Sequence, residues 1–565
     1  MYRLLRRALI GCIAGIAASS ALLPALGHAV PLLLLGAVLG AAYALLTGST
    51  RGAYLDNMFT AGAYGVPLWA VISVVALPLA NGQMPQWSAE QMRSHFPVLD
   101  AWVLFGLTLG LFTQLLSDVA ARVLGPEVSP ASRENSPKKH IVILGGGFAG
   151  MTAAECLERE LQKDPSVTVT LVSETNALLF TPMLAEVAGS SLEPSHISTP
   201  LRTTLHRTEF IRGRVTRVDL GNKRVSLDAG MAGAESGKRE LSYDHLVFAL
   251  GAVSNYLGLS NVQRLAFDFK SLIDAIRIRN HVIEMFERAD RERDAEARKP
   301  LLTFVIAGGG FAGVELAGAL NDFARGILAD YPNLGSEDVR VLLVHSHDRI
   351  LPELSESLGR YAQQRMELRG IQFRLNTRLA DARDGVVVLS DGEVPAETLV
   401  WTAGTAPNPL TKALALEKDK RGALIVDKTL AVPGHAGVWA LGDCAAVVDG
   451  RNGKPCPPTA QFALREAATL ARNIRASLQG KPARAFHFDS LGALCVVGHQ
   501  TACAELAIPF ARDKSMRFSG LLAWFMWRWI YLAKLPGLER KIRVLVDWTV
   551  ELFFPRDIVQ TIDLK

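Results

Sequence analysis

What the chain lacks narrows it first. Its six cysteines, Cys12, Cys156, Cys444, Cys456, Cys495 and Cys503, form no C-x-x-C pair and no cluster with histidine at zinc spacing. A disulfide framework and a metal site are therefore not expected, and a reducing compartment suits the catalytic part. Net charge is only +5 over 565 residues, and no basic run is interleaved with aromatics. Nucleic acid is not an expected partner. The first 125 residues contain no Lys. Their only histidines, His28 and His95, fall in expected loops, so bis-histidine haem ligation is not supported.

That lysine-free stretch is instead rich in long apolar runs. Four expected spans lie at 8–27, 30–48, 60–80 and 101–121, each near the ~20 residues that cross a bilayer. Arg3, Arg6 and Arg7 precede the first, Arg51 follows the second, and Arg122, Arg133, Lys138 and Lys139 follow the fourth. The loop between the third and fourth holds only Arg93. The positive-inside rule then places the N-terminus and everything after the fourth span in the cytoplasm. The first run, ending LGHA, reads either as a span or as a cleaved signal peptide; the orientation is the same in both cases. Asp56 and Asp118 lie near span ends, where an interfacial place is expected rather than a proton path. Pro130 and Pro137 among polar residues mark a linker over 126–139.

Beyond the linker, GGGFAG occurs twice, at Gly145–Gly150 and at Gly308–Gly313. Each copy follows a short apolar run, IVIL or FVIA, and opens a helical pattern. Gly145, Gly147 and Gly150, and again Gly308, Gly310 and Gly313, fill the G-x-G-x-x-G positions. These serve the tight turn, the approach of a pyrophosphate and close helix–strand packing. Two copies predict two dinucleotides held together and an enzyme that moves electrons between them. The next strand after the first copy ends at Glu174, a carboxylate suited to ribose hydroxyls. After the second it ends at His345, which cannot repel a 2′-phosphate as an acid would, so NADH and NADPH both stay open. LSYDHLVFALGA closes at Gly251, and VWALGDCAAV places Gly442 and Asp443 at a strand end, where a flavin's ribityl and phosphate groups find partners.

Taken in order, these pieces carry a resemblance. GGGFAG with Glu174, FTPMLAEVA at Phe180–Ala188, GGGFAGVELAG at Gly308–Gly318, VWTAG at Val400–Gly404, ALGDCA at Ala440–Ala445 and PPTAQFALREA at Pro457–Ala467 resemble type II, non-proton-pumping NADH:quinone oxidoreductases. The resemblance covers about three quarters of the chain, from His140 onward, and leaves out the apolar N-terminal stretch. It implies an α/β fold of two Rossmann-like domains, the nicotinamide domain inserted in the FAD domain. Together with the reading of the termini, the whole would be a transmembrane helical domain over 1–125, the linker, an FAD-binding domain over 140–270 and 399–484, an NAD(P)H-binding domain over 271–398, and a C-terminal membrane-associated helical segment over 485–565.

The resemblance also assigns residues. Gly145, Gly147, Phe148, Ala149, Gly150 and Glu174 would hold the ADP part of FAD, and Val215 its adenine region. Asp443 with Gly442 would take the ribityl–phosphate part. Ala460 and Gln461 would lie beside the isoalloxazine, Thr181 and Pro182 on its other side, with Gly251 and Gly404 at cofactor-facing turns. Lys534, in YLAKLPG, matches a lysine that reaches the flavin. The second fingerprint and His345 would hold NAD(P)H. Glu315, in the first turn of the second Rossmann helix, would stand where nicotinamide, flavin and quinone meet. One departure concerns the quinone side: the pattern A-Q-x-x-x-Q has Gln461 but Arg465 in place of the second Gln. Arg465 would bond a quinone carbonyl or pair with Glu466 or another carboxylate. A second is ALG at Ala249–Gly251, where A-T-G is common.

Near the C-terminus, Trp524, Trp527 and Trp529 cluster with Phe525 and Tyr531 around Arg528. The run is too short to span a bilayer and suits the headgroup boundary; a core helix on the flavin domain would look the same. The chain thus reads as a multi-pass protein of the inner (cytoplasmic) membrane, with a membrane quinone and the lipid bilayer as partners. A homodimer is implied by the resemblance. Rival readings are a flavin reductase with another acceptor or donor, a protein partner or sulfide, and a nicotinamide sensor without turnover. Against sulfide, Cys156 and Cys456 are not spaced as a redox pair.

Overall fold

A computed structural model describes residues 2–26, 29–47, 54–83, 96–123, 139–228, 238–508 and 515–560. The linker at 126–138, His28, His95, Arg51, Arg93 and the side chains of Arg3, Asp56 and Arg122 lie outside the described residues. The chain divides into two compact units, one of 1–131 with Phe525–Ile542, the other of 132–524 with 543–565.

The first unit is helical: α1 (Tyr2–Ala18), α2 (Ala29–Thr47), α3 (Tyr54–Leu68) and α4 (Phe96–Val123). Past Pro67, α3 continues through a π-helical stretch, Trp69–Ala76, to Ala80. Glycine brings the helices into backbone contact. A Cβ on Gly15 of α1 would stand 1.9 Å from the Gly36 carbonyl oxygen of α2, and one on Gly106 of α4 would stand 2.2 Å from that of Ala61 in α3. Small residues at such crossings are how helices associate where no hydrophobic gradient drives them together. Polar side chains bridge α3 and its continuation to α4: Asn57 donates to Gln114, and Trp102 Nε1 to Ser73 Oγ at 2.8 Å; within α4, Gln114 Nε2 donates to Asp118 Oδ1 at 3.1 Å. Among the described residues two helices are long and apolar enough to cross a bilayer, Asn57–Ala80 and Pro97–Ala120; the apolar helix Val30–Leu45 is shorter. The expected first span differs most. The helix starts earlier, takes in Arg6 and Arg7, and stops at Ala18, where Ser19 Oγ turns back onto the Gly15 and Leu32 carbonyls.

The second unit is α/β. Its first sheet holds β1 (Lys139–Leu144), β2 (Val167–Ser173), β3 (Glu209–Arg212) and β4 (His245–Phe248). The helix α5 (Phe148–Glu160) connects β1 to β2. A second sheet follows: β5 (Phe267–Asp268), then α6 (Leu272–Arg291), β6 (Thr303–Ala307), α7 (Phe311–Gly326), β7 (Arg340–Val344), β8 (Ile371–Arg374) and β9 (Thr398–Trp401). Only then does β10 (Val438–Ala440) complete the first sheet, in the order β10-β4-β1-β2-β3. The second sheet runs β5-β9-β6-β7-β8. All these pairs are parallel. Parallel strands are covered on both faces, which is why they read as unbroken apolar runs; Ile141–Leu144 and Phe304–Ile306 are fully buried. One sheet is thus interrupted by the whole of the other.

The remainder comprises α8 (Ala460–Leu478), an antiparallel sheet of β11 (Gly492–Gly498), β12 (Thr501–Ala507) and β13 (Ser515–Ser519), then α9 (Gly520–Lys534) and α10 (Leu538–Val550). The tail after α10 is fastened within the α/β unit: Arg556 donates to the carbonyls of Gly189 and Ala319, and buried Arg279 donates to Ser190 Oγ and the Asp557 carbonyl.

Candidate functional site

Both glycine-rich turns are built for a pyrophosphate. The first glycine of each takes a left-handed backbone, φ +113° at Gly145 and +125° at Gly308, which glycine adopts without steric penalty. The last lets the helix close on the strand: a Cβ on Gly150 would stand 1.8 Å from the Gly145 carbonyl, and one on Gly313 1.9 Å from that of Gly308. The middle glycines face open space. Nothing lies within 4 Å of a Cβ on Gly147, and only Glu353 Oε1, at 3.5 Å, near one on Gly310. Phe148 and Phe311 then start α5 and α7, whose free N–H groups and dipole favour an anion. Both turns therefore fit dinucleotides.

The ends of the next strands differ. Glu174 is exposed and pairs with Arg214 at 3.2 Å. His345 is held inward. The Gly309 N–H donates to its Nδ1 at 3.1 Å, which puts the ring proton on Nε2. That nitrogen is buried without a hydrogen-bond partner among the described residues, and the ring packs edge-on against His347, centroids 5.1 Å apart. Burial, aided by His347 and opposed by Asp348, pushes the His345 pKa down, so the ring is neutral at neutral pH.

The other expected residues, Lys534 apart, belong to the same α/β unit. Phe148 packs edge-on to Phe180, 5.7 Å between centroids, and Thr181 and Pro182 follow in a tight turn. Val215 sits in the strand Arg214–Asp219. Gly251 and Gly404 have φ of +67° and +102°, and their carbonyls accept from the Asn408 and Asn255 amides at 3.1 and 3.2 Å. Asp443 is partly buried, and burial pushes its carboxyl up against the pull of Lys270 and Arg421. Ala460 and Gln461 open α8. The Gln461 amide is spent on β11 and the residue before it, accepting from the Leu491 N–H at 2.7 Å and donating to the Gly492 carbonyl at 3.1 Å.

Arg465 and Glu466 take separate paths. Arg465 is exposed, its guanidinium 5.4 Å over the Phe488 ring. Glu466 is 3% exposed and accepts the Gly442 N–H at 2.7 Å. The pairing of Arg465 with Glu466 is not formed, because the carboxylate is committed to a backbone amide. Sequence reasoning gave Glu466 no site of its own, since an acid in an amphipathic helix ordinarily faces water.

Glu315 lies one turn into α7, just past the first turn that the sequence suggested, and its Oε1 accepts the Val496 N–H of β11 at 3.3 Å. The helix and strand meet closely: a Cβ on Gly318 would stand 2.9 Å from the Gly498 nitrogen. The second glycine-rich helix is thereby tied to the same strand segment that holds Gln461. Lys534 lies in the helical unit, its Nζ 5.9 Å over the Tyr531 ring.

Residues 139–467 match the pyridine nucleotide-disulphide oxidoreductase family, and 491–557 match the NDH2 C-terminal domain. The type II NADH:quinone oxidoreductase Ndh of Mycobacterium tuberculosis is 31% identical over 450 residues, 77% of this chain and 92% of that one. A probable NADH dehydrogenase of Dictyostelium discoideum is 33% identical over 425 residues, 74% and 90% of the two chains. The solved NDH2 of Plasmodium falciparum shares the fold, with a TM-score of 0.67 at 19% identity over 75% of this chain and all of that one. An interrupted parallel sheet, twin dinucleotide turns and these matches agree: the chain belongs to the type II NADH:quinone oxidoreductase family of oxidoreductases.

Proposed function

We propose that the chain is a membrane-bound, FAD-dependent enzyme that takes hydride from NADH or NADPH and passes two electrons to a membrane quinone without pumping protons. The observation that carries this reading is the pair of pyrophosphate-ready turns within one α/β unit, each opening its own parallel sheet.

The first turn, with Glu174, Val215 and Asp443, would hold FAD permanently, and Gly251, Gly404, Thr181, Pro182, Ala460 and Gln461 would shape its surroundings. FAD, when bound, supplies the two-electron relay. The second turn and His345 would hold the exchanging nicotinamide dinucleotide and orient it, which is the protein's main contribution to hydride transfer. Glu315, a carboxylate held on α7 against β11, would position the nicotinamide and hand protons toward the reduced quinone. Gln461 and Arg465 would stand on the quinone side, and Lys534 would reach toward the cofactor. The helical unit would anchor the protein as a multi-pass domain of the cytoplasmic membrane, with the catalytic part in the cytoplasm. A homodimer is the proposed assembly.

Steady-state oxidation of NADH and NADPH by the purified protein with a short-chain quinone tests the reading. Quinone-dependent oxidation is expected; its absence with both donors overturns it. Retention in the membrane through alkaline carbonate washing tests the multi-pass anchor, and release into the supernatant contradicts it.

A further inference from the structure

Glu466 is a buried acid for which the resemblance supplies no role. Its Oε2 accepts the N–H of Gly442 at 2.7 Å. Gly442 is in the left-handed region, φ +69°. A Cβ there would stand 3.1 Å from that of Ala149 and 3.8 Å from that of Ala463. The turn is therefore wedged between the first glycine-rich helix and α8, and the carboxylate locks it. The hydrogen bond joins the end of β10 to the body of α8, and the same turn packs on Ala149 in the first turn of α5. Asp443 follows Gly442 directly, and α8 opens on Ala460 and Gln461. A carboxylate bonded to an amide is stronger than a neutral acceptor, and removing it would orphan a buried N–H.

We propose that Glu466 is a positioning residue of the cofactor site: it sets the turn that presents Asp443, and its buried charge tunes the electron affinity of the redox cofactor held there. The proposal rests on the reading of the first turn as an FAD site. Burial and the charge of Asp443 push the Glu466 carboxyl up to about 7, against the Gly442 N–H. Asp443 is the charged group that bears on it. The Cys456 thiol nearby is itself pushed up to about 11. Arg465 is over Phe488, and on α5 Glu160 is paired with Arg475 at 2.7 Å while Glu158 accepts the Arg207 and Thr208 amides. The Glu466 charge is thus mostly absent at about pH 6 and present at about pH 8.

The test uses the purified full-length protein with its bound flavin, and the variants Glu466→Gln and Glu466→Leu. The amide of the Gln variant still accepts, so FAD affinity stays within about 3-fold, whereas the Leu variant weakens it about 10- to 100-fold. The flavin midpoint potential of the Gln variant is expected to match the wild type near pH 6 and to be more positive near pH 8. A Leu variant that keeps wild-type FAD affinity, or a Gln variant whose potential follows the wild type at both pH values, overturns the proposal. Should the Leu variant not fold, the Gln potential decides alone. A wild-type protein purified without flavin defeats the cofactor reading itself, a result distinct from flavin-loaded variants that behave as wild type.

Discussion

The two glycine-rich turns share their backbone and differ in their surroundings. Gly145 and Gly308 take the same left-handed conformation, and Gly150 and Gly313 the same contact with the strand end. The first turn is closed in by a second layer, the Gly442 turn and the Glu466 clamp. The second is bordered by a histidine fixed on the loop itself and by Glu315, tied to β11. Identical anion cradles thus stand in unequal surroundings: one beside a turn held by a buried carboxylate, the other beside a neutral imidazole bonded to its own loop. On the proposed reading the fingerprint sets pyrophosphate binding, while residence time and chemistry come from groups remote in sequence.

The contrast breaks most visibly at the last glycines. Gly150→Ala should abolish FAD retention, because its Cβ would overlap the Gly145 carbonyl; Gly313→Ala should leave FAD bound and remove donor binding. Flavin absorbance and donor KM separate the two, and equal flavin loss in both variants would make the turns equivalent. Next in size, Glu315→Gln should lower quinone turnover about 10²- to 10³-fold with FAD still bound. Wild-type kinetics would remove Glu315 from the reaction. A smaller effect is expected at His345. A neutral donor there repels neither ribose hydroxyl nor phosphate, so NADPH should be used within about tenfold of NADH in kcat/KM, and His345→Glu should weaken NADPH selectively by about 10- to 100-fold. A wild type already blind to NADPH would contradict this.

The smallest effect concerns acid stability and is shared by both halves. His245, the first residue of β4 in the first sheet, and His281, on α6, are each pushed down to about 4 by burial. An unfolded histidine takes its proton near 6.5, so the unfolded state binds more protons between these values. Stability is then full above about pH 6.5 and is lost as pH falls toward 4, on the order of 3 kcal/mol per histidine. Glu466, raised instead, acts in the opposite sense, its contribution fading as pH rises through 7. Thermal melts of the double variant His245→Gln/His281→Gln should show a flatter acid limb, and an unchanged limb would place the sensitivity elsewhere.

Much of this molecule is legible along the chain. The apolar runs before each GGGFAG became β1 and β6, and the acid or histidine at the end of the following strand was found by spacing. What stayed hidden is tertiary. Glu466 and Gly442 are 24 residues apart, Glu315 and Val496 are 181 apart, and no local pattern links a helix acid to a backbone amide on another element. Arg465 looked like a ligand because its position in a motif was known, whereas its place over Phe488 depends on a segment beyond α8. In the helical unit, apolarity marked the segments, but the break after Ala18 and the π-helical stretch after Pro67 come from side-chain hydrogen bonds and proline, which a running average of hydropathy smooths away.

On the proposed reading, the first turn keeps a flavin that the second turn's ligand reduces and a quinone reoxidises. Anaerobic mixing of the purified protein with one equivalent of NADH, followed by a short-chain quinone, tests it directly. Flavin absorbance is expected to bleach on the first addition and to return on the second. A protein without flavin, a flavin that NADH does not bleach, or a bleached flavin that quinone does not restore would contradict it.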